Sequence, residues 1–117
     1  MDIEKLRKYC LKKEHVSESF PFDEDTLVFK VMDKMFCLAV LSYPFRVNLK
    51  CEPEFAAELR EKYEGVTPGY HMNKKYWNTV LFDKNIPDKE ILSWIDHSYE
   101  MVVKCLPKKI QAQFKLT

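Results

Sequence analysis

The residues of this chain best suited to chemistry lie between Gly65 and Phe82. The stretch reads Gly-Val-Thr-Pro-Gly-Tyr-His-Met-Asn-Lys-Lys-Tyr-Trp-Asn-Thr-Val-Leu-Phe and contains both glycines of the protein and no Asp or Glu. From Val66 onward its only formal charges are Lys74 and Lys75, with His71 and Asn73 as polar neighbours. Adjacent cations at a turn tip can be pressed against phosphates, as the wing of a winged DNA-binding domain does. The same pair also fits an ordinary solvated turn. A second basic island follows Glu100, where Lys104, Lys108, Lys109 and Lys115 occur without an acid. Lys34, beside Asp33, marks another expected turn tip.

Other chemistries find little support. His15, His71 and His97 fall in three separate elements, and no Ser or Cys sits in a nucleophile motif. His-x-x-x-His and Glu-x-x-His patterns are absent, so no metal ligand set is expected. Gly65-Val-Thr-Pro-Gly69 is not a phosphate loop, because Pro68 lacks an N–H and no helix follows directly. Asp23, Glu24 and Asp25 read as a solvated acidic loop. A non-enzymatic protein without cofactor is the expectation. Cys10, Cys37, Cys51 and Cys105 are widely spaced and read as free, mostly core thiols.

A chain of 117 residues suits one domain with a sizeable core. Its net charge of +1 argues against indiscriminate coating of nucleic acid and leaves room only for a local patch. The segment after Met1 is charged and amphipathic, unlike a signal peptide, and the longest apolar run, Met35 to Leu41, is too short to span a membrane. A cytoplasmic location is expected.

Periodicity supplies the elements that must position these residues. Ile3, Leu6 and Cys10 predict a helix over 2–13 with Asp2 as its cap. An acidic connection over 14–25 follows, with Phe20 and Phe22 expected to anchor it on the core. Alternation predicts strands over 26–32, 35–41 and 46–51, the first two joined by a tight gap at Asp33-Lys34. Pro53 opens a second helix with Phe55, Ala56, Leu59 and Tyr63 on one stripe, and Gly65 is expected as its left-handed cap. An extended piece over 67–72, a turn at 73–75 and a strand over 76–82 come next. Within that strand Trp77, Thr79 and Leu81 share a face, and core is the favoured place for Trp77. Pro87 starts the last helix, whose stripe runs Ile91, Ile95, Tyr99, Val102 and Leu106 until Pro107 ends it. The order α-β-β-β-α-β-β-α predicts a two-layer α+β domain, an antiparallel sheet with helices on one face.

Four pieces of this sequence resemble the MmcQ/YjbR family of small bacterial domains. They are Phe29-Lys30-Val31 with Lys34-Met35-Phe36; Val47 to Cys51 with Pro53-Glu54; Pro68 to Val80; and Ser98-Tyr99 with Leu106 to Lys109. The resemblance implies an α-β(3)-α-β(2)-α fold, similar in outline to type III secretion chaperones. It also implies DNA binding through two wings, the hairpins at Asp33-Lys34 and at Asn73 to Lys75. Lys74 and Lys75 would contact phosphates, Lys34, Lys108 and Lys109 would add charge, and His71 and Asn73 would make polar contacts. The chain departs from the family pattern at Asp33, where Gly is usual, and at Tyr76, where His is commoner. Two other readings stand beside this one. One is a protein-interaction or chaperone-like module acting through the sheet face or an edge strand. The other is a small-ligand pocket lined by Tyr70, His71, Trp77 and Tyr99.

Overall fold

The computed structural model describes residues 1–69, 72–82 and 85–114. Its elements are α1 (Ile3–Leu11), β1 (Val16–Ser19), β2 (Thr26–Val31), β3 (Lys34–Val40), β4 (Arg46–Lys50), α2 (Pro53–Lys62), β5 (Val66–Pro68), β6 (Trp77–Leu81), α3 (Asp88–Lys104) and α4 (Lys108–Gln111). The strands form one antiparallel sheet in the order β1-β2-β3-β4-β6-β5.

Strand alternation decides which face is covered. Leu27, Phe29 and Val31 of β2, Cys37 and Ala39 of β3, Val47 and Leu49 of β4 and Val80 of β6 join one buried cluster. Leu6 and Cys10 of α1, Ala56 and Leu59 of α2, and Ile91, Ile95, Val102 and Val103 of α3 belong to it too. The helices therefore lie on one side of the sheet, and each fully buried Leu, Ile, Val or Phe there stabilises the fold by roughly 1.5–3 kcal/mol. The other side carries a smaller cluster of Val28, Leu38 and Trp77, with Met35, Met72 and Tyr76 packed against it. Trp77 is thus buried, but away from the helices.

The helix starts follow from their capping residues. The Asp2 carboxylate accepts from the Lys5 N–H at 2.9 Å. The Glu52 carboxylate accepts from the N–H groups of Glu54 at 3.2 Å and Phe55 at 3.0 Å, which lowers its pKa below the usual carboxylate value. Pro53 takes the first position of α2, where no N–H is required.

Several expectations are corrected. The connection over 14–25 contains strand β1, which pairs with β2 from Val16↔Val31 to Ser19↔Val28. Val-Ser-Glu-Ser has one apolar residue, too few to signal a strand. The Arg7 guanidinium helps to hold it, gripping Glu18 through Nε and Nη2 at 2.5–3.0 Å. Phe20 and Phe22 are exposed, at 48% and 64%, and do not anchor the loop. The first hairpin turns one residue earlier than expected, at Met32 and Asp33, with φ of 48° and 67°. Left-handed backbone at both turn residues is the geometry that matches strand twist. No glycine has positive φ; His15 and Asn85 join Met32 and Asp33 in that role, and Gly65 is not a left-handed cap. Gly69 is required by proximity instead: a Cβ there would sit 2.8 Å from the Trp77 Cβ. Pro107 ends α3, yet the short α4 follows, and Phe114 returns to the core edge-on to His15 and Tyr99. Among the described residues, no helix is long and apolar enough to cross a membrane.

Candidate functional site

Antiparallel pairing brings the two expected wings to the same end of the sheet. β3 begins there with Lys34, β4 ends there with Lys50, and β6 begins there with Trp77 paired to Lys50. The C-terminal part of α3 reaches the same end, since Val102, Cys105 and Leu106 share a cleft with Lys34 and Lys50. Lys34, Lys74, Lys75, Lys104, Lys108 and Lys109 are all exposed, and Lys50 is half-buried. Asp33, Glu52 and Glu100 are interspersed with them.

The tip that carries Lys74 and Lys75 is a tight turn. The Tyr76 N–H donates to the Asn73 carbonyl at 3.2 Å, and the Lys75 N–H donates to Asn73 Oδ1 at 2.9 Å. The two lysines occupy its corner positions. The Asn73 Oδ1 shapes the turn through that bond, on an exposed side chain. Gly69 N–H to the Trp77 carbonyl, at 2.8 Å, extends the β5–β6 ladder beneath the turn. Lys75 holds its ammonium 5.6 Å from the Tyr76 ring centroid.

The turn is also clamped from behind by residues whose clamping role the sequence did not show. Arg60 of α2 donates from Nε to Asn78 Oδ1 at 2.7 Å and from Nη2 to the Lys74 carbonyl. Asn78, 2% exposed, donates from Nδ2 to the Ala56 carbonyl at 3.3 Å. One guanidinium thus ties α2, β6 and the basic turn together. The readable signal was a polar Asn78 flanking Val80 on the face toward the helices. Ser98 is a second unforeseen device. Its hydroxyl accepts from the Lys50 N–H at 2.9 Å and donates to the Phe36 carbonyl at 2.5 Å.

His97 seats the start of α2: its Nε2 accepts from the Glu52 N–H at 3.1 Å, and its ring lies edge-on to Phe55. Burial lowers its pKa below the ordinary histidine value. His71 and Tyr70 lie outside the described residues. A shared pocket for Trp77 and Tyr99 is ruled out, because Trp77 belongs to the cluster on the open face and Tyr99 to the core under the helices.

A larger hollow of about 440 Å³ lies between α1 and α3. Three of its polar side chains serve one another. The Tyr9 hydroxyl and the Lys13 ammonium both donate to Asp96, at 2.7 and 2.5 Å. Lys13 also lies 4.9 and 5.1 Å from the ring centroids of Tyr9 and Tyr99. Burial pushes both phenols up to about 12. This is a strut between helices. Among the described residues no group of three or more His, Cys, Asp or Glu could hold a metal ion, and the four cysteines are free, with Cys105 exposed.

The opposite end of the sheet differs in character. Phe20, Phe22, Leu41 and Tyr43 are exposed there, Tyr43 at 88%. Asp25 joins their two loops, its carbonyl accepting from the Leu41 N–H at 2.8 Å and its carboxylate from the Ser42 hydroxyl at 2.6 Å.

The YjbR family profile matches residues 11–101 of this chain. YjbR of Escherichia coli K12 is 36% identical over 111 residues, which cover 93% of each chain. YbdF of Escherichia coli O157:H7 is 32% identical over 114 residues, 96% of this chain and 93% of its own. Among solved structures, Deinococcus radiodurans DR2400, a DUF419 domain, superposes with a TM-score of 0.91 at 36% identity, covering 99% of this chain and 89% of that one. A protein from Pseudomonas syringae gives 0.76 at 30% identity, covering 86% of this chain and 98% of its own.

Proposed function

The chain belongs to the YjbR family, and from that premise we propose that it is a non-enzymatic DNA-binding domain that lays its basic end on the phosphate backbone. The observation that carries this reading is the clamped turn of Lys74 and Lys75. Both lysines are exposed while their backbone is fixed from α2, so little backbone freedom is lost on contact; the Lys74 ammonium also reaches the Gly69 carbonyl at 3.5 Å. Lys34, Lys108 and Lys109 have no ion pair among the described residues and add charge at the same end. Asp33 weakens the first hairpin as a phosphate contact, so the second leads. Titration of labelled duplex DNA at two salt concentrations tests the reading. Affinity should fall with salt, with a log–log slope of about −0.9 per phosphate contacted. Absence of binding at low salt, or binding unchanged in Lys74→Ala/Lys75→Ala, would sink it.

A second reading, a protein-interaction module, draws on the exposed Phe20, Phe22, Leu41 and Tyr43. It favours the loop tips over the sheet face or an edge. The open face keeps Val28, Leu38 and Trp77 at 8% exposure or less, β1 is four residues long with Glu18 paired to Arg7, and β5 is three residues long ending in Pro68. A co-purifying protein released by Phe22→Ser/Tyr43→Ser, with DNA affinity unaltered, would support it.

A further inference from the structure

The β3–β4 ladder stops at Cys37↔Leu49. The next rung would pair Phe36 with Lys50. The Ser98 hydroxyl takes its place, bonding the backbone of both. Past this inserted hydroxyl a cleft of about 160 Å³ opens between Lys34-Met35 and Lys50. Val102 and Leu106, both buried, give it an apolar floor, and Cys105 stands exposed at its edge. Neither Lys34 nor Lys50 has an ion pair among the described residues. The buried Ser98 therefore holds the cleft's backbone, while its two lysines make no ion pair among the described residues even though Asp33 and Glu52 are near them in the chain.

An apolar floor with two such cations at the rim is complementary to an anion that carries a hydrocarbon body. The space is well below the roughly 300–1,000 Å³ of drug-sized sites, so the occupant is small. We propose that this cleft binds a compact organic monoanion, a carboxylate on a single ring or short branched chain. The carboxylate would meet Lys34 and Lys50, and the apolar body would cover Met35, Val102 and Leu106. The site is independent of the DNA reading, although Lys34 serves both.

Cys105 is a built-in reporter, because Cys10, Cys37 and Cys51 are buried. Alkylation of the full chain by neutral iodoacetamide should slow several-fold in millimolar benzoate. Benzyl alcohol and inorganic phosphate each lack half of the complement and should leave the rate nearly unchanged. Lys34→Gln/Lys50→Gln should weaken benzoate binding by about tenfold, the loss expected for a charged hydrogen bond. Thermal unfolding checks that this variant is folded, and benzoate-induced shifts of the Val102 methyl resonances read occupancy without Cys105. The proposal is overturned if benzoate neither protects Cys105 nor shifts Val102. Equal benzoate affinity in the double variant, or equal protection by phosphate alone, overturns it too. Protection by duplex DNA but not by benzoate would assign the cleft to the nucleic-acid surface and likewise overturn it.

Discussion

The two ends of the sheet are built from the same hairpin connections and are opposite in almost every property. One end gathers Lys34, Lys50, Lys74, Lys75, Lys104, Lys108 and Lys109 around a turn clamped by Arg60. The other presents Phe20, Phe22, Leu41 and Tyr43 beside Asp23, Glu24 and Asp25. Their fixings differ as well. The basic turn is held by Asn78, which is fully buried, whereas the aromatic loops are held by exposed bonds to Asp23 and Asp25. A net charge of +1 conceals this uneven distribution, in which lysines outnumber the acids Asp33, Glu52 and Glu100 at one end. The difference teaches that surface chemistry in this fold is assigned by strand direction. Residues far apart in the chain share an end because their strands start or stop there.

The strongest way to break the contrast is to remove the clamp. Asn78→Ala leaves the Ala56 carbonyl and the Arg60 Nε–H without their partner, and should cost about 2–4 kcal/mol. Urea denaturation should show it as a lower midpoint at unchanged slope, and DNA affinity of the folded fraction should drop as the turn loosens. Reversing the turn's charge acts on binding alone. Lys74→Glu/Lys75→Glu should weaken DNA binding by about 100-fold at low salt, with the salt slope reduced by about 2. Circular dichroism should show the fold unaltered. Gly69→Ala forces a Cβ onto Trp77 and should cost about 1–3 kcal/mol, seen as a lower melting temperature.

A smaller effect comes from pH. Burial holds the folded His97 below its ordinary value, so the neutral ring is favoured in the native state. As pH falls, the unfolded chain takes up the proton first. This contribution is fully present above about 6.5 and is lost as pH falls from there through the folded value. His97→Gln should flatten that part of a melting-temperature profile. The smallest effect belongs to the other end. Phe22→Ser/Tyr43→Ser should change stability by no more than about 0.5 kcal/mol and leave DNA affinity as it was, while raising solubility. Equal losses of DNA affinity from the two ends would erase the distinction between them.

Much of the scaffold was legible because burial imposes a period. The stripes of α1, α2 and α3 and the alternation of β2, β3, β4 and β6 announced themselves. β1 did not, since a four-residue edge strand with a single valine needs only backbone pairing and the Arg7–Glu18 grip. The hairpin turn was misplaced by one residue because Met32 gives no sign of adopting left-handed backbone. Lys74 and Lys75 could be read as a tip from their neighbours. Asn78 was readable only as a polar residue on the helix-facing side of β6; the roles of Arg60, Asn78 and Ser98 were not, because they lie in bonds to partners remote in sequence, which no local pattern encodes. Asn73 was readable as polar, but its use in shaping its own turn depends on geometry.

The two indoles sit on opposite sides of the sheet. Trp77 is beneath the basic turn with Met72 and Tyr76 against it, and Trp94 is in the helical layer against Tyr63. The molecule therefore carries a separate optical probe for each layer. In a Trp94→Phe chain the remaining emission reports on the turn alone, and a red shift would register water reaching Trp77 as that turn lifts. In a Trp77→Phe chain it reports on the helical core. The two signals should part company whenever the basic turn opens without the domain unfolding.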